Sequence, residues 1–96
     1  MMTHYLRKPH VVAREIAGET LLVPVLQTGV NLQKVYLLNE TSGAVWALLE
    51  ESRSLDELVA ALEEQYEAAD EVMRGDVAAV LAEMAERKLI DVAETA

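Results

Sequence analysis

The chain has no cysteine among its 96 residues. Disulfides, thiolate zinc sites and iron–sulfur ligation are thereby excluded within it, and a reducing, cytoplasmic setting is the expected one. Long hydrophobic runs are also missing. Residues Met1 to Pro9 hold no apolar stretch of signal-peptide length, and Leu21 to Leu26 is far too short to span a bilayer. Neither secretion nor membrane insertion is therefore expected. A glycine-rich phosphate loop, a His-Glu-x-x-His pair and a thiol nucleophile are all absent, which removes the commonest signatures of nucleotide, zinc-hydrolase and thiol chemistry.

Basic charge is scarce where a nucleic-acid reader would need it. Residues 1–39 carry Arg7, Lys8, Arg14 and Lys34 against Glu15 and Glu19, a net of +2, whereas residues 40–96 carry four basic side chains against fifteen acidic ones, a net of −11. Proteins that neutralise phosphates draw affinity from Lys and Arg through counterion release, so nucleic acid is not an expected ligand. The acidic surplus reads as a solvated, solubilising surface. At 96 residues the chain fits one domain, able to bury roughly two thirds of the surface its unfolded form exposes.

What is present begins with strands. Val11 to Ile16 and Glu19 to Val25 flank Ala17-Gly18, and glycine at the second position of a two-residue loop suits a tight hairpin, so these strands should pair antiparallel. Pro24 donates no ladder hydrogen bond and belongs at a bulge, a strand end or an edge. Gln27-Thr28-Gly29-Val30-Asn31 then makes a turn or loop leading to a third strand, Gln33 to Leu38.

From Glu40 onward the apolar period becomes helical. In Val35-Tyr36-Leu37-Leu38-Asn39-Glu40-Thr41-Ser42-Gly43-Ala44-Val45-Trp46 a strand runs straight into a helix, capped by Asn39 or Thr41 and extending to about Glu50. Val45, Leu48 and Leu49 share one face of it, with Trp46, the only indole, beside them. Ser54-Leu55-Asp56-Glu57 is a capping box, and Leu55, Leu58, Val59, Leu62 and Tyr66 follow as one apolar stripe. A third helix starts at Asp70, whose carboxylate suits a cap and the helix dipole, with Met73, Val77, Val80, Leu81 and Met84 as its buried face and Gly75 as a weak point. Leu89-Ile90-Asp91-Val92 either closes the core or forms a short extended tail.

Candidate catalytic groups are few. His4 and His10 lie near the N-terminus, where surface histidines outnumber ligands and bases. Glu63, Glu64 and Glu67 are adjacent acids on the exposed side of an amphipathic helix, and Ser42 and Ser54 stand where helix starts want hydroxyls. Trp46 and Tyr36 read as core or sheet residues. No cofactor or metal site is expected.

Three short strands followed by three amphipathic helices make an α+β domain whose helical part resembles a winged helix-turn-helix. The strand-to-helix segment, the Arg53-Ser54-Leu55-Asp56-Glu57-Leu58 helix start, Tyr66, and Gly75-Asp76-Val77 leading to Leu89-Ile90 together resemble, in order and spacing, the PqqD-like family of precursor-peptide recognition elements. The resemblance covers about residues 10–92, leaving 1–9 and 93–96 as tails. The hairpin with Arg14-Glu15-Ile16 and Leu22-Val23-Pro24-Val25 is further similar to members that accompany radical S-adenosylmethionine enzymes, and lasso-peptide members share much of the pattern. Two positions depart from the family: Glu51-Ser52, where members often have Asp-Gly, and Lys88, where they often have glycine.

The resemblance implies a small three-stranded antiparallel sheet followed by a three-helix bundle. It also implies a non-catalytic peptide chaperone, which holds the leader of a ribosomally made precursor as an added strand and presents it to a radical S-adenosylmethionine maturation enzyme. The third strand is then the receiving edge and the third helix the opposite wall, so that Val35, Tyr36, Leu37 and Leu38 with Met73, Val77, Val80 and Met84 become the peptide-binding residues. Three alternatives remain open. They are a lasso-type element delivering the precursor to a leader peptidase, a winged-helix transcription regulator, and a structural subunit whose exposed edge mediates assembly. The regulator's recognition helix would carry Asp70, Glu71, Asp76, Glu83 and Glu86 against Arg74, Arg87 and Lys88, a balance that repels phosphate.

Overall fold

The computed structural model describes residues 2–26, 29–30 and 35–95. Its elements run in the order β1 (Met2–Arg7), β2 (Val11–Ile16), β3 (Glu19–Leu26), β4 (Gly29–Val30), β5 (Tyr36–Leu38), α1 (Glu40–Leu48), β6 (Arg53–Ser54), α2 (Leu55–Glu63), α3 (Asp70–Glu86) and β7 (Ile90–Thr95). The class is α+β. β2, β3 and β5 form the antiparallel sheet that the sequence implies, with β3 central and β4 paired to its far end at Val25 and Leu26.

The β2–β3 hairpin turns through Ala17 and Gly18, both at positive φ (54° and 82°), the pairing that a type I′ turn needs to match strand twist. Its ladder runs from Ile16 opposite Glu19 to Val11 opposite Pro24, so the proline sits where the ladder ends. The third strand is shorter than the sequence suggests. Tyr36, Leu37 and Leu38 pair with Leu22, Leu21 and Thr20, while Val35 precedes the strand and Gln33 and Lys34 lie outside the described residues. Gln27, Thr28 and Asn31 of the expected turn lie outside them too.

Both capping boxes are built from short polar side chains that satisfy otherwise orphaned amides. Asn39, not Thr41, caps α1: its Oδ1 accepts from the Ser42 amide at 2.8 Å, and Ser42 Oγ accepts from the Asn39 amide at 2.8 Å. At α2 the Ser54 hydroxyl accepts from the Glu57 amide at 3.2 Å and Glu57 Oε1 from the Ser54 amide at 3.0 Å. α3 departs from expectation, because Ala69 is its N-cap with no side-chain bond, and Asp70 enters the first turn, where its charge still favours the dipole. At its other end Lys88 takes the left-handed conformation (φ 59°), and the Leu89 amide returns to the Met84 carbonyl at 2.9 Å. The lysine thus performs the chain reversal that glycine makes at lower strain.

A second sheet, β6-β1-β7, replaces the expected N-terminal tail. β1 lies at its centre, paired antiparallel with β7 from Met2 opposite Thr95 to Arg7 opposite Ile90, and with β6 at His4 opposite Ser54. Ala93, Glu94 and Thr95, expected as a C-terminal tail, complete β7. Arg7 ties this sheet to α1: its guanidinium lies 5.1 Å from the Trp46 ring centroid and donates to the Ala47 carbonyl at 3.4 Å. Arg53 Nε donates to the Leu48 carbonyl at 2.7 Å. Two cations therefore meet the C-terminus of a helix that has no basic residue in its own last turn.

One hydrophobic core joins Val11, Leu22 and Leu38 of the first sheet to Val45, Trp46 and Leu49, to Leu58, Val59 and Leu62 of α2, and to Met73, Val77, Leu81 and Met84 of α3, with Leu89 and Ile90 closing it. The stripe Leu58, Val59 and Leu62 behaves as its period requires. Among the described residues no helix is long and apolar enough to cross a membrane.

Candidate functional site

β5 is an edge strand: among the described residues it pairs only with β3. Strand alternation sends Leu38 inward, where it is buried, and Leu37 outward, where it is 52% exposed. Tyr36 shares the inward face with Leu38 but is only half-buried, and its ring reaches toward α3. There the phenol donates to Glu83 Oε2 at 3.1 Å, and the Arg87 guanidinium stacks over the ring at 4.9 Å from the centroid. Arg87 Nε also pairs with Glu83 Oε1 at 3.3 Å, one turn away on the same helix face. The three side chains link β5 to the last turns of α3.

Electrostatics follow from that contact. Burial, then the hydrogen bond to Glu83 and its charge, raise the Tyr36 phenol above its ordinary value of 10.0, with Arg87 pulling the other way. The phenol therefore remains a neutral donor through the physiological range. Among the described residues the other edge of β5 leaves backbone donors and acceptors without a strand partner.

The eight candidate side chains divide between the surface and the core. Tyr36 and Leu37 are on the edge strand with solvent-facing surface, Val35 is half-buried just before it, and Val80 is partly buried against the core. Leu38, Met73, Val77 and Met84 are core residues, exposed by only 7%, 6%, 0% and 0%. Their helical period marks the face of α3 that packs inside the chain, whereas the flank that meets Tyr36 bears Glu83 and Arg87. The sequence does contain a trace of those two: an acid and a base spaced i, i+4, one turn beyond Val80, with a tyrosine elsewhere that needs a polar partner.

The described residues bring together no group of three or more His, Asp or Glu side chains able to hold a metal ion. Glu63 and Asp70 stand close enough to share a proton, which raises the former and lowers the latter, and Arg74 bridges Asp70 to Asp56 across the α2–α3 junction. These exposed groups link two helix ends, and Asp56 also lines a shallow cavity with Met2, Thr3, Tyr5, Ser54 and Leu55.

Comparison with known proteins bears on the family and the fold. A family model described as coenzyme PQQ synthesis protein D (PqqD) matches residues 19–90. No curated protein matches the sequence. Among solved structures, TbiB1 in complex with the TbiA(beta) leader peptide superposes with a TM-score of 0.71 at 27% identity, over 90% of this chain and 94% of that one. The PqqD truncation of Methylobacterium extorquens PqqCD, a stand-alone recognition element for ribosomally synthesised and post-translationally modified peptides, superposes with a TM-score of 0.69 over 92% of this chain and 88% of that one. At 16% identity the second likeness shows the fold.

Proposed function

The chain belongs to the PqqD family, and from that premise we propose that it is a non-catalytic peptide chaperone that binds the leader of a ribosomally made precursor by strand addition to β5. The observation that carries the proposal is the one-sided pairing of β5, with α3 held opposite it through Tyr36, Glu83 and Arg87. The likeness to TbiB1, solved with a leader peptide, supports the same ligand class here.

Magnitudes say what the groove must add. β5 offers three residues, and backbone hydrogen bonds contribute about 1 kcal/mol each, so the strand alone supplies roughly 3 kcal/mol. Micromolar binding needs about 8 kcal/mol. The remainder comes from leader side chains buried against Tyr36, Val80 and the aliphatic stems of Glu83 and Arg87, and these contacts select the sequence.

The chain then presents the bound precursor to a separate cytoplasmic maturation enzyme of the radical S-adenosylmethionine class. Affinity capture from the native lysate, with mass spectrometry of both small peptides and large partners, tests this. A captured precursor with its modifying enzyme supports the proposal. Capture of DNA in place of peptide, with an electrophoretic shift on mixed fragments, refutes it.

A further inference from the structure

A one-sided antiparallel sheet alternates apolar inward residues with polar outward ones, whereas continuous apolar runs belong to strands covered on both faces. β3 reads Leu21-Leu22-Val23-Pro24-Val25 and β5 reads Tyr36-Leu37-Leu38, so both strands carry the two-sided pattern. Among the described residues only one face is covered. Leu22, Pro24, Val11 and Leu38 are buried toward the helices. The opposite face carries Val12, Leu21, Val23, Val25 and Leu37, with Ile16 at the hairpin end. The pairing register places Val12 opposite Val23 and Leu21 opposite Leu37 on it. Ile16, Val25 and Leu37 are 60%, 40% and 52% exposed. An apolar patch of this kind on a small acidic protein marks an interaction surface.

We propose that this outer sheet face is the contact through which two copies of the chain form a face-to-face dimer. Two features favour a second copy as the occupant. The first is charge. Arg14 and Glu19 lie on the same face in adjacent rows of the ladder, and neither forms an ion pair among the described residues. A two-fold contact brings the Arg14 of one copy beside the Glu19 of the other, and repeats the pairing by symmetry. The second is the placement of the net −11 half, whose helices all lie on the covered side of the sheet. Sheets stacked about 10 Å apart put the two acidic halves at opposite ends, beyond the roughly 8 Å over which physiological salt screens charge. The edge of β5 stays open in this arrangement, so the dimer and the peptide groove are compatible and independent.

An interface of three short strands sits at the low end of specific complexes, so association in the micromolar range or weaker is expected. Sedimentation equilibrium on the full chain, over loading concentrations from micromolar to millimolar, tests it. The wild type should rise from the 10.6 kDa of one chain toward twice that mass. The double variant Ile16→Lys/Val25→Lys, its fold checked by circular dichroism, should remain a single chain, and Val92→Lys on the second sheet should still dimerise. If the double variant fails to fold, Ile16→Lys alone, at the most exposed position, carries the comparison. Arg14→Glu should weaken the dimer about tenfold and Arg14→Glu/Glu19→Arg should restore it. A constant mass of 10.6 kDa at every concentration overturns the proposal, as does a dimer lost with Val92→Lys and retained with Ile16→Lys/Val25→Lys. Hydrogen exchange showing this face covered only when a co-purified modifying enzyme is bound also overturns it, and assigns the face to that enzyme.

Discussion

Replacing Met84 by alanine separates a core position from a groove position on the same helix. Met84 has no exposed surface and packs in the cluster that joins α3 to the first sheet and α2. Truncating a buried methionine removes transfer free energy and leaves a cavity that its neighbours fill only in part, at a cost of about 2–5 kcal/mol. A domain of this length has a total stability of about 5–14 kcal/mol, so the change removes a large share of it. For a chain of this size the melting temperature should fall by at least about 8 °C. Trp46, the single indole and only 4% exposed, reports unfolding by fluorescence in a denaturant titration. Leader affinity, corrected for the folded fraction, should stay unchanged. A midpoint within error of wild type, or a selective loss of leader binding at full stability, would refute the placement of Met84 in the core and return it to the groove wall.

Other positions give independent checks. Ser54→Ala should cost about 1 kcal/mol by opening the α2 capping box, read in the same titration. Glu57 is held below the ordinary carboxylate range by the Ser54 backbone and hydroxyl bonds, so its stabilisation is complete above its unfolded value and is lost as pH falls through the lowered folded value; an acid titration of stability should show this loss in wild type and a diminished one in Ser54→Ala. Lys88→Gly should stabilise by about 1 kcal/mol or less, because glycine adopts φ 59° without strain but loses more chain entropy on folding. Glu83→Gln should lower the Tyr36 phenol back toward 10.0, seen as earlier tyrosinate absorbance on raising pH, while stability at neutral pH changes by less than about 0.5 kcal/mol.

Local chemistry made much of this fold legible. Ala17-Gly18 between two β-rich runs dictates a hairpin, Ser54 with Glu57 dictates a helix start, and the spacing of Leu58, Val59 and Leu62 dictates a buried face, all within a few residues of chain. The second sheet had no such signal. β1 and β7 meet across more than 80 residues, from Met2 opposite Thr95 to Arg7 opposite Ile90, and Met2–Arg7 lacks the clean apolar alternation that would identify a strand before its partner is known. The candidate binding residues divide between core and surface for a related reason. Apolar periodicity reports what the chain buries in itself, which is why it selected Met73, Val77 and Met84. Exposed contacts beside that face leave no such period, and the contact of Tyr36 with Glu83 spans 47 positions.

Backbone amide shifts during titration with a leader peptide captured from the native lysate test the central claim most directly. Strand addition predicts the largest shifts at Tyr36, Leu37 and Leu38, with secondary shifts along α3 near Val80, Glu83 and Arg87 and little change in α2. Saturable binding with its largest shifts confined to α2, and with β5 unmoved, would contradict it.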